Sequence, residues 1–245
     1  SYSLRLADQF SMGVALRYLR SDLRIQAVDE TAKAASSFAV DISAYFQGEE
    51  QSYGDVDGRW RAGMIIQNLG PKIKYDESGR ETFLPTNLRL GTGFDFLLDQ
   101  YNKVSVTAEF AKLLVPTPPI LGYEYNFNDN NENGVYDEDI DELGEQTTGE
   151  LVVYNGQTTD VDFLQGVFQS FSDAPGGFSE ELKEFTWALG AEYVYDDSFA
   201  LRAGYFNESE DKGARKFLAL GAGFKFSGTR VDLSLSLIHI SEPTR

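Results

Sequence analysis

Short segments that alternate apolar and polar residues recur along the chain, and no charged residue interrupts their apolar rows. In the first clear case the row runs from Phe38 to Phe46, while Asp41 lies on the opposite face. A period of two indicates a β-strand with two different faces. The pattern therefore predicts an all-β protein, and it recurs at 38–46, 88–96, 104–110, 187–195, 201–205 and 218–226.

The lengths of the connections separate a membrane barrel from a soluble sandwich. Short turns on one side and long loops on the other are typical of outer-membrane barrels, whereas a Greek-key sandwich has no reason to keep that order. Most segments also approach the roughly 9–11 residues that a tilted membrane strand needs. We therefore predict a transmembrane antiparallel β-barrel. In this chain short turns alternate with long links. The short turns are at 7–10, 99–102, 196–198 and 227–229, and the long links are near 24–35, 70–86, 114–185 and 208–214. Only the link at 48–58 breaks the pattern, because it is long where the alternation calls for a short turn.

The charges of these strands fall on the face opposite the apolar rows. A Lys or Arg that faces lipid at the midplane costs roughly 2–4 kcal/mol, whereas a lumen tolerates charge. Because both signs occur, we expect a salt-bridged interior rather than an ion filter of one sign. The predicted interior charges are Arg17, Arg61, Arg89, Arg202 and Lys225 with Asp41, Asp95, Glu109 and Glu192.

A long acidic stretch interrupts the strands. Between Lys112 and Lys183 the chain has fifteen Asp and Glu and no basic residue, which accounts for most of the net charge of −18. This acidity argues against nucleic acid as a partner, because phosphate contacts need clusters of Lys and Arg. We predict that 114–185 is one large acidic extracellular loop.

The two ends of the sequence affect how many strands of the barrel we expect to be present. Ser1 lies inside a strand-like segment, so we expect 1–234 to be a partial barrel of about ten strands that lacks its N-terminal strands. Residues 235–245 (LSLIHISEPTR) resemble a translated sequencing adapter and are set aside. His239 lies in this tail and is the single histidine, and the chain has no cysteine. A Ser-His or Cys-His nucleophile is therefore not expected, and we predict no enzymatic activity.

Several unusual strings resemble the PorV family, the outer-membrane barrels of the type IX secretion system. They are FLPTNLRLG (83–91), DQYNK (99–103), KLLVPTPPI (112–120), FQSFSDAPGGF (168–178) and GAEYVYDDSFALRAGYF (190–206), in that order.

This resemblance implies a FadL-like barrel, fourteen-stranded when complete, in the outer membrane of a Gram-negative bacterium. It also implies a non-enzymatic role: such proteins collect the C-terminal domains of secreted cargo at the translocon SprA and pass them to the sortase PorU. Outer-membrane lipid is the implied surrounding, and no cofactor is implied.

One part of the acidic stretch has the spacing of a calcium loop. If Gly134 is the loop glycine, Asp129, Asn131, Asn133 and Asp137 occupy positions one, three, five and nine. The twelfth position, usually a bidentate Glu, is Ile140, and no helix signal flanks the loop. An EF-hand is therefore not expected, and a looser calcium site and a solvated acidic loop both remain open.

The segment 168–178 is the candidate partner surface. Turn residues in SDAPGG precede a helix-like stretch, 178–185, which is predicted to be a short helix at the barrel mouth. The segment either contacts cargo or translocon or merely folds the loop. The residues predicted to contact a partner are Phe168, Phe171, Ser172, Asp173, Pro175 and Phe178.

Two other functions compete with this hypothesis. A FadL-like channel for hydrophobic small molecules would need an apolar lumen, and the interior charges argue against it. An exported soluble calcium-binding β-sandwich would show the same alternation but would not need detergent for extraction.

Overall fold

The computed structural model describes residues 1–22, 34–74, 81–130, 136 and 138–240, and within these ranges the chain is predominantly β. It divides into two compact units, which are Ser1–Val115 with Leu182–Arg245, and Pro116–Glu181. The first unit holds one antiparallel sheet of eleven strands, and the second contains a two-stranded sheet.

Ten strands of the large sheet follow one another as neighbours. Among the described residues, the first and the last of these strands each pair with one neighbour only. This agrees with the ten strands predicted from the sequence. The path is β1 (Tyr2–Ala7), β2 (Phe10–Ser21), β3 (Ala35–Gln47), β5 (Val56–Leu69), β6 (Asn87–Leu97), β7 (Asn102–Leu113), β10 (Phe185–Tyr195), β11 (Phe199–Asn207), β12 (Arg215–Phe226) and β13 (Thr229–Ile240).

The predicted alternation of short and long connections is present. The turn between β12 and β13 consists of Ser227 and Gly228, both with positive φ (48° and 82°), which is the conformation that matches the twist of a tight hairpin. The exceptional link at 48–58 contains a short additional strand, β4 (Gln51–Tyr53), which pairs with β5. The extra length of this link thus forms a small hairpin with the start of β5.

The two faces of the large sheet are inverted relative to a soluble protein. Leu16, Leu189 and Leu233 are 70%, 53% and 63% exposed, whereas Asp41 and Asp95 are 5% and 2% exposed. In water this arrangement would forgo the roughly 25 cal/mol per Å² that apolar burial contributes. The inversion is consistent with a strand surface that faces lipid, and the all-β antiparallel fold agrees with the prediction. Among the described residues, no helix has the length and apolar character that a membrane crossing requires.

A small apolar cluster lies where the long link 70–86 returns to the sheet. It consists of Ala35, Ala39, Ile73 and Leu84, with Leu19 packed against it. Leu84 belongs to the string FLPT. Thr86, from the same string, donates its hydroxyl to the carbonyl of Asn68 at 3.0 Å and is almost fully buried. The string therefore has a structural role: it anchors the link on the inner side of β3.

The unit Pro116–Glu181 holds more regular structure than the sequence predicted. Its elements are β8 (Ile120–Asn128), β9 (Glu142–Asn155) and α1 (Phe163–Gln169), and none of these was predicted. The predicted helix at 178–185 is present as α2 (Phe178–Lys183). The prediction is wrong for its last two residues, because the helix ends at Lys183 and Phe185 already begins β10.

Strand β13 extends through residues 235–240, which pair with β12 as far as Ile240 opposite Arg215. These residues fall in the tail that we predicted to be adapter-derived. An alternating run of this kind forms a strand whatever its origin, so the assignment of the tail stays a prediction.

Candidate interaction surfaces

The inner face of the large sheet carries a ladder of ion pairs between neighbouring strands. Arg17 on β2 contacts the carboxylate of Asp41 on β3 at 2.5 Å. The other carboxylate oxygen of Asp41 accepts the backbone N–H of Asn68 at 2.9 Å. Asn68 has a positive φ of 58° and lies beside the irregularity in the β3–β5 register. Asp41 therefore stabilises a bulge and an arginine together.

Asp95 is the most heavily coordinated carboxylate of the ladder. It accepts the hydroxyl of Ser105 at 2.7 Å, Nη2 of Arg61 at 2.7 Å and Nε of Arg59 at 3.0 Å. Since a buried carboxylate is tolerated only when it is paired and hydrogen-bonded, the two arginines are what allow Asp95 to lie at 2% exposure.

A third group of the ladder is centred on Arg202 of β11. This guanidinium contacts Glu192 on the neighbouring strand β10 at 2.5 Å and, across β12, Asp232 on β13 at 2.7 Å. Gly223 leaves the space that this group occupies, because a Cβ there would lie 2.6 Å from Oδ1 of Asp232 and 3.1 Å from Nη1 of Arg202. The small residue on the polar face thus relieves crowding.

A looser pair completes the ladder. Arg89 and Glu109 are 3.6 Å apart, and both side chains are about half exposed. The mixed-sign, paired interior predicted from the sequence is therefore present on β2, β3, β5, β6, β7, β10, β11 and β13. Because these charges pair with charges of opposite sign, the inner face of the described strands is neither of one sign nor apolar.

A second ionic network lies at the long-connection end of the sheet. Lys112 at the end of β7 is 1% exposed and contacts Glu184 at 2.6 Å, immediately before β10. Glu184 also contacts Lys212 at 3.1 Å, which lies in the 3₁₀ turn Glu210–Lys212 between β11 and β12. The strand ends that flank the acidic stretch are thereby tied to the next connection.

Two carboxylates of that connection have shifted pKa values. The Arg215 side chain hydrogen-bonds Glu208 at 2.7 Å and lowers the pKa of this carboxyl below its ordinary value of 4.5. Lys183 contacts Asp211 at 2.7 Å and lowers the pKa of Asp211 in the same way, first through the hydrogen bond and then through its charge. Both carboxylates therefore stay ionised over the physiological range and hold the connection against the strand ends.

In the unit Pro116–Glu181, helix α1 exposes its large apolar side chains. Gly166 and Val167 are buried, together with Ser170 just beyond the helix. Leu164 and Phe168, four residues apart on one helical face, are 50% and 74% exposed. This apolar face of the helix is therefore on the surface.

The six residues predicted to contact a partner divide into two groups. Phe168 and Phe178 are the most exposed, at 74% and 78%, and Phe171 and Ser172 are also on the surface. Pro175 is half-buried.

Asp173 differs from the other five. It is 1% exposed, and one carboxylate oxygen accepts the backbone N–H of Thr117 at 3.0 Å. Its role in this geometry is to hold the turn that carries the phenylalanines, so the structure does not group it with the exposed side chains.

The predicted calcium loop falls mostly outside the described residues. Asn131, Asn133 and Asp137 lie there, while Asp129 is described just after β8. Next to it, the backbone N–H of Asn130 donates to Asp141 at 2.8 Å. This bond closes the base of the loop, and calcium binding stays a prediction.

The sequence analysis missed the apolar face of the β8–β9 hairpin. Leu121 pairs with Val153, and Tyr123 pairs with Leu151, so these four side chains share one face. All four are exposed, by 43–54%. A period-two row of apolar residues at 121, 123, 125 and 127 indicates a strand here, but the many acidic residues around it favoured a loop.

Comparison with known proteins agrees with the family resemblance. Residues 1–120 match the family model described as "Type IX secretion system protein PorV". This segment, just under half of the chain, is similar to the PorV family. The PorV match includes β1 to β7 and the strings FLPTNLRLG and DQYNK, and it ends as KLLVPTPPI ends. No curated protein matches the chain. The match supports a component of the type IX secretion system as the function proposed below.

Proposed function

We propose that this protein is a non-enzymatic adaptor in the outer membrane that binds the C-terminal domains of secreted cargo at the translocon SprA and passes them to the sortase PorU. The observation that carries the proposal is the PorV match over 1–120, the part of the chain that builds β1 to β7. The inverted faces of the sheet support the membrane location, because exposed leucines and buried ion pairs suit lipid outside and a polar interior.

The orientation follows from the connections. Outer-membrane barrels keep short turns on the periplasmic side and long loops outside the cell. On this basis the acidic unit Pro116–Glu181 is extracellular, where cargo emerges from a translocon. The barrel is proposed to be FadL-like, with the paired inner ladder leaving no apolar conduit. A transport channel for hydrophobic molecules therefore has no support from the interior.

The surface proposed to meet cargo or translocon comprises Phe168, Phe171, Ser172, Pro175 and Phe178, with Asp173 positioning the turn. Exposed aromatic side chains dominate interfaces because they bury large areas at low conformational cost. The hydrogen bond from the backbone N–H of Thr117 to Asp173 holds the turn in the absence of a partner.

The test uses the complete gene, tagged and expressed in its own host. The protein is purified from outer membranes in mild detergent, and proteins that accompany it are identified by mass spectrometry. We expect a large translocon, a sortase and proteins that share one C-terminal domain. Recovery of the barrel alone with bound fatty acid would refute the adaptor and favour the channel.

A matched pair of variants locates the contact. The double substitution Phe168→Ser and Phe178→Ser is expected to remove cargo from the purified material while the barrel still resists heat in detergent. Phe226→Ser is the control, since this phenylalanine is 85% exposed but lies on the large sheet. Equal loss in both variants would exclude the 168–178 surface.

A further inference from the structure

The β8–β9 hairpin presents an apolar face that the described chain leaves uncovered. Opposite residues of an antiparallel pair share a face, so the pairing places four side chains together: Leu121 with Val153, and Tyr123 with Leu151. Tyr125 and Leu143 continue the row, through pairs at Tyr125–Gln146 and Phe127–Leu143. Their exposed fractions lie between 42% and 55%.

A two-stranded sheet of this kind is marginal in water by itself. Antiparallel sheets normally cover one face with a core, and an isolated hairpin needs a third strand or a packing partner for stability. Contiguous exposed apolar patches on folded proteins mark interaction sites. The apolar face of β8–β9 therefore has the properties of a binding surface.

Charge decides which occupant fits. The unit 116–181 carries fifteen Asp and Glu and no Lys or Arg, a formal charge of −15. On the hairpin itself Glu124, Glu145 and Glu150 are exposed. A second copy of the chain would bring an equal negative charge, and an anionic lipid surface would be repelled as well. A cationic protein surface is attracted and gains the apolar contact.

We propose that the apolar face of β8–β9, formed by Leu121, Tyr123, Leu151 and Val153, binds an extended protein segment whose apolar residues are flanked by Lys or Arg. The inference rests on the proposed function in taking an exported protein as the natural partner, and it goes beyond it in assigning a second contact surface and the chemistry of the partner. The acidic field of the unit accelerates the encounter, and the apolar row provides the lasting contact.

The opposite face of the same hairpin supplies a control. Tyr154 is the extra residue of a register irregularity between the pairs Leu121–Val153 and Ile120–Asn155. It is 79% exposed, and its position beside Gly122 places it on the face opposite the proposed one. Its β-carbon would lie 3.5 Å from a Cβ at Gly122, which also belongs to that opposite face. Tyr154→Thr removes a larger exposed apolar surface than either substitution proposed below, without touching the proposed face.

The experiment measures binding to the full chain reconstituted in nanodiscs. The probe is a short synthetic peptide that alternates Val and Lys, and the comparison peptide alternates Val and Glu. We expect the Lys peptide alone to bind. The double variant Tyr123→Thr and Leu151→Thr should weaken it by about tenfold or more, since threonine keeps the strand propensity but removes the apolar contact. Tyr154→Thr should bind as the unmodified chain does.

A second variant covers the case in which the face substitutions disturb the hairpin. Glu124→Gln with Glu145→Gln leaves the apolar row intact and should weaken the Lys peptide while reducing the salt dependence of binding. Equal binding of both peptides, equal loss in the Tyr154 variant, or no binding to the unmodified chain would each overturn the proposal.

The other occupants are tested in parallel. Flotation with vesicles of phosphatidylcholine, with and without phosphatidylglycerol, would assign the face to lipid if the Tyr123 and Leu151 substitutions abolished it. Mass photometry would assign it to a second copy if those substitutions abolished a dimer. Either result would refute the proposal.

The failure of the proposed function is distinguishable from that of the inference. A purified cargo C-terminal domain is titrated alongside the peptides. If the Lys peptide binds at the hairpin but the cargo domain does not bind at all, the adaptor function fails and the inference stands. If the cargo domain binds and the Tyr123→Thr and Leu151→Thr double variant binds the Lys peptide as the unmodified chain does, the inference fails alone.

Discussion

Replacement of Asp95 by Asn should destabilise the sheet far more than the same chemical change at Glu109. Asp95 is 2% exposed and accepts from Ser105, Arg59 and Arg61 at 2.7–3.0 Å. Breaking a buried ion pair by removing one partner costs about 3–5 kcal/mol. The two arginines keep about a quarter of their surface in contact with solvent, so we expect a smaller cost for Asp95→Asn, roughly 2–4 kcal/mol.

Glu109→Gln is the matched control. It changes carboxylate to amide on the neighbouring strand, but its pair with Arg89 is 3.6 Å long and half exposed on both sides. Exposed pairs contribute roughly 0–1 kcal/mol, so this variant should unfold almost as the unmodified chain does.

The assay is urea unfolding in lipid vesicles, followed by the fluorescence of the two tryptophans, Trp60 and Trp187. Trp60 lies on β5 next to Phe94 of β6, with ring centroids 4.9 Å apart, so it reports on the strand pair that Asp95 joins. Equal destabilisation by the two variants would refute the reasoning, because burial and coordination would then not govern the cost of a missing charge.

Three other predictions address the packing, the pH response and the acidic loop. Gly58→Ala should destabilise the chain by about 1–3 kcal/mol in the same urea assay, because its Cβ would lie 2.6 Å from the backbone oxygen of Asp95. Gly63→Ala on the same strand meets its nearest atom at 3.8 Å and should be nearly neutral. Since folding lowers the pKa of Glu208, its contribution to stability is present above pH 4.5 and is lost as the pH falls further, so Glu208→Gln should flatten that part of the stability–pH curve. Calorimetric titration should show heat at millimolar calcium from the loop that contains Asp129, and Asp129→Asn should reduce it; an absence of heat would remove the calcium site.

Excision of the acidic unit tests the division of labour within the chain. Replacement of 116–181 by a short Gly/Ser linker should leave the large sheet resistant to heat in detergent, because the strand ends keep the Lys112–Glu184 contact at 2.6 Å. Partner proteins should no longer accompany the purified protein. Loss of the heat-resistant form would contradict this separation of roles.

The faces of the strands were predictable because side chains alternate with a strict period of two. Arg17, Asp41, Asp95 and Arg202 were all placed on the interior face from alternation alone, and the ion pairs confirm that placement. The identity of each partner was not predictable, since it depends on strand register. A slip of one residue would move Asp41 away from Arg17 and onto the opposite, apolar face of the sheet.

The acidic unit shows where sequence reasoning failed. Its charge predicted a solvated loop, whereas the period-two row that begins at Leu121 predicts a strand, and the strand is what the structure contains. The pairing of Tyr123 with Leu151 joins residues far apart in the chain, and no local signal specifies it. Asp173 was grouped with the exposed phenylalanines because it stands among them in sequence, but its hydrogen bond to Thr117 turns it inward.

The sequence by itself determined the strands of the large sheet and their two faces, the order of short and long connections, and the charge of the acidic unit, because each of these depends on local spacing and composition. The tertiary structure decided which charges pair, which glycine makes room for Arg202, and which apolar side chains in the acidic unit remain uncovered. These depend on register and on contacts between distant segments, and both are properties of the folded chain that no single stretch of it encodes.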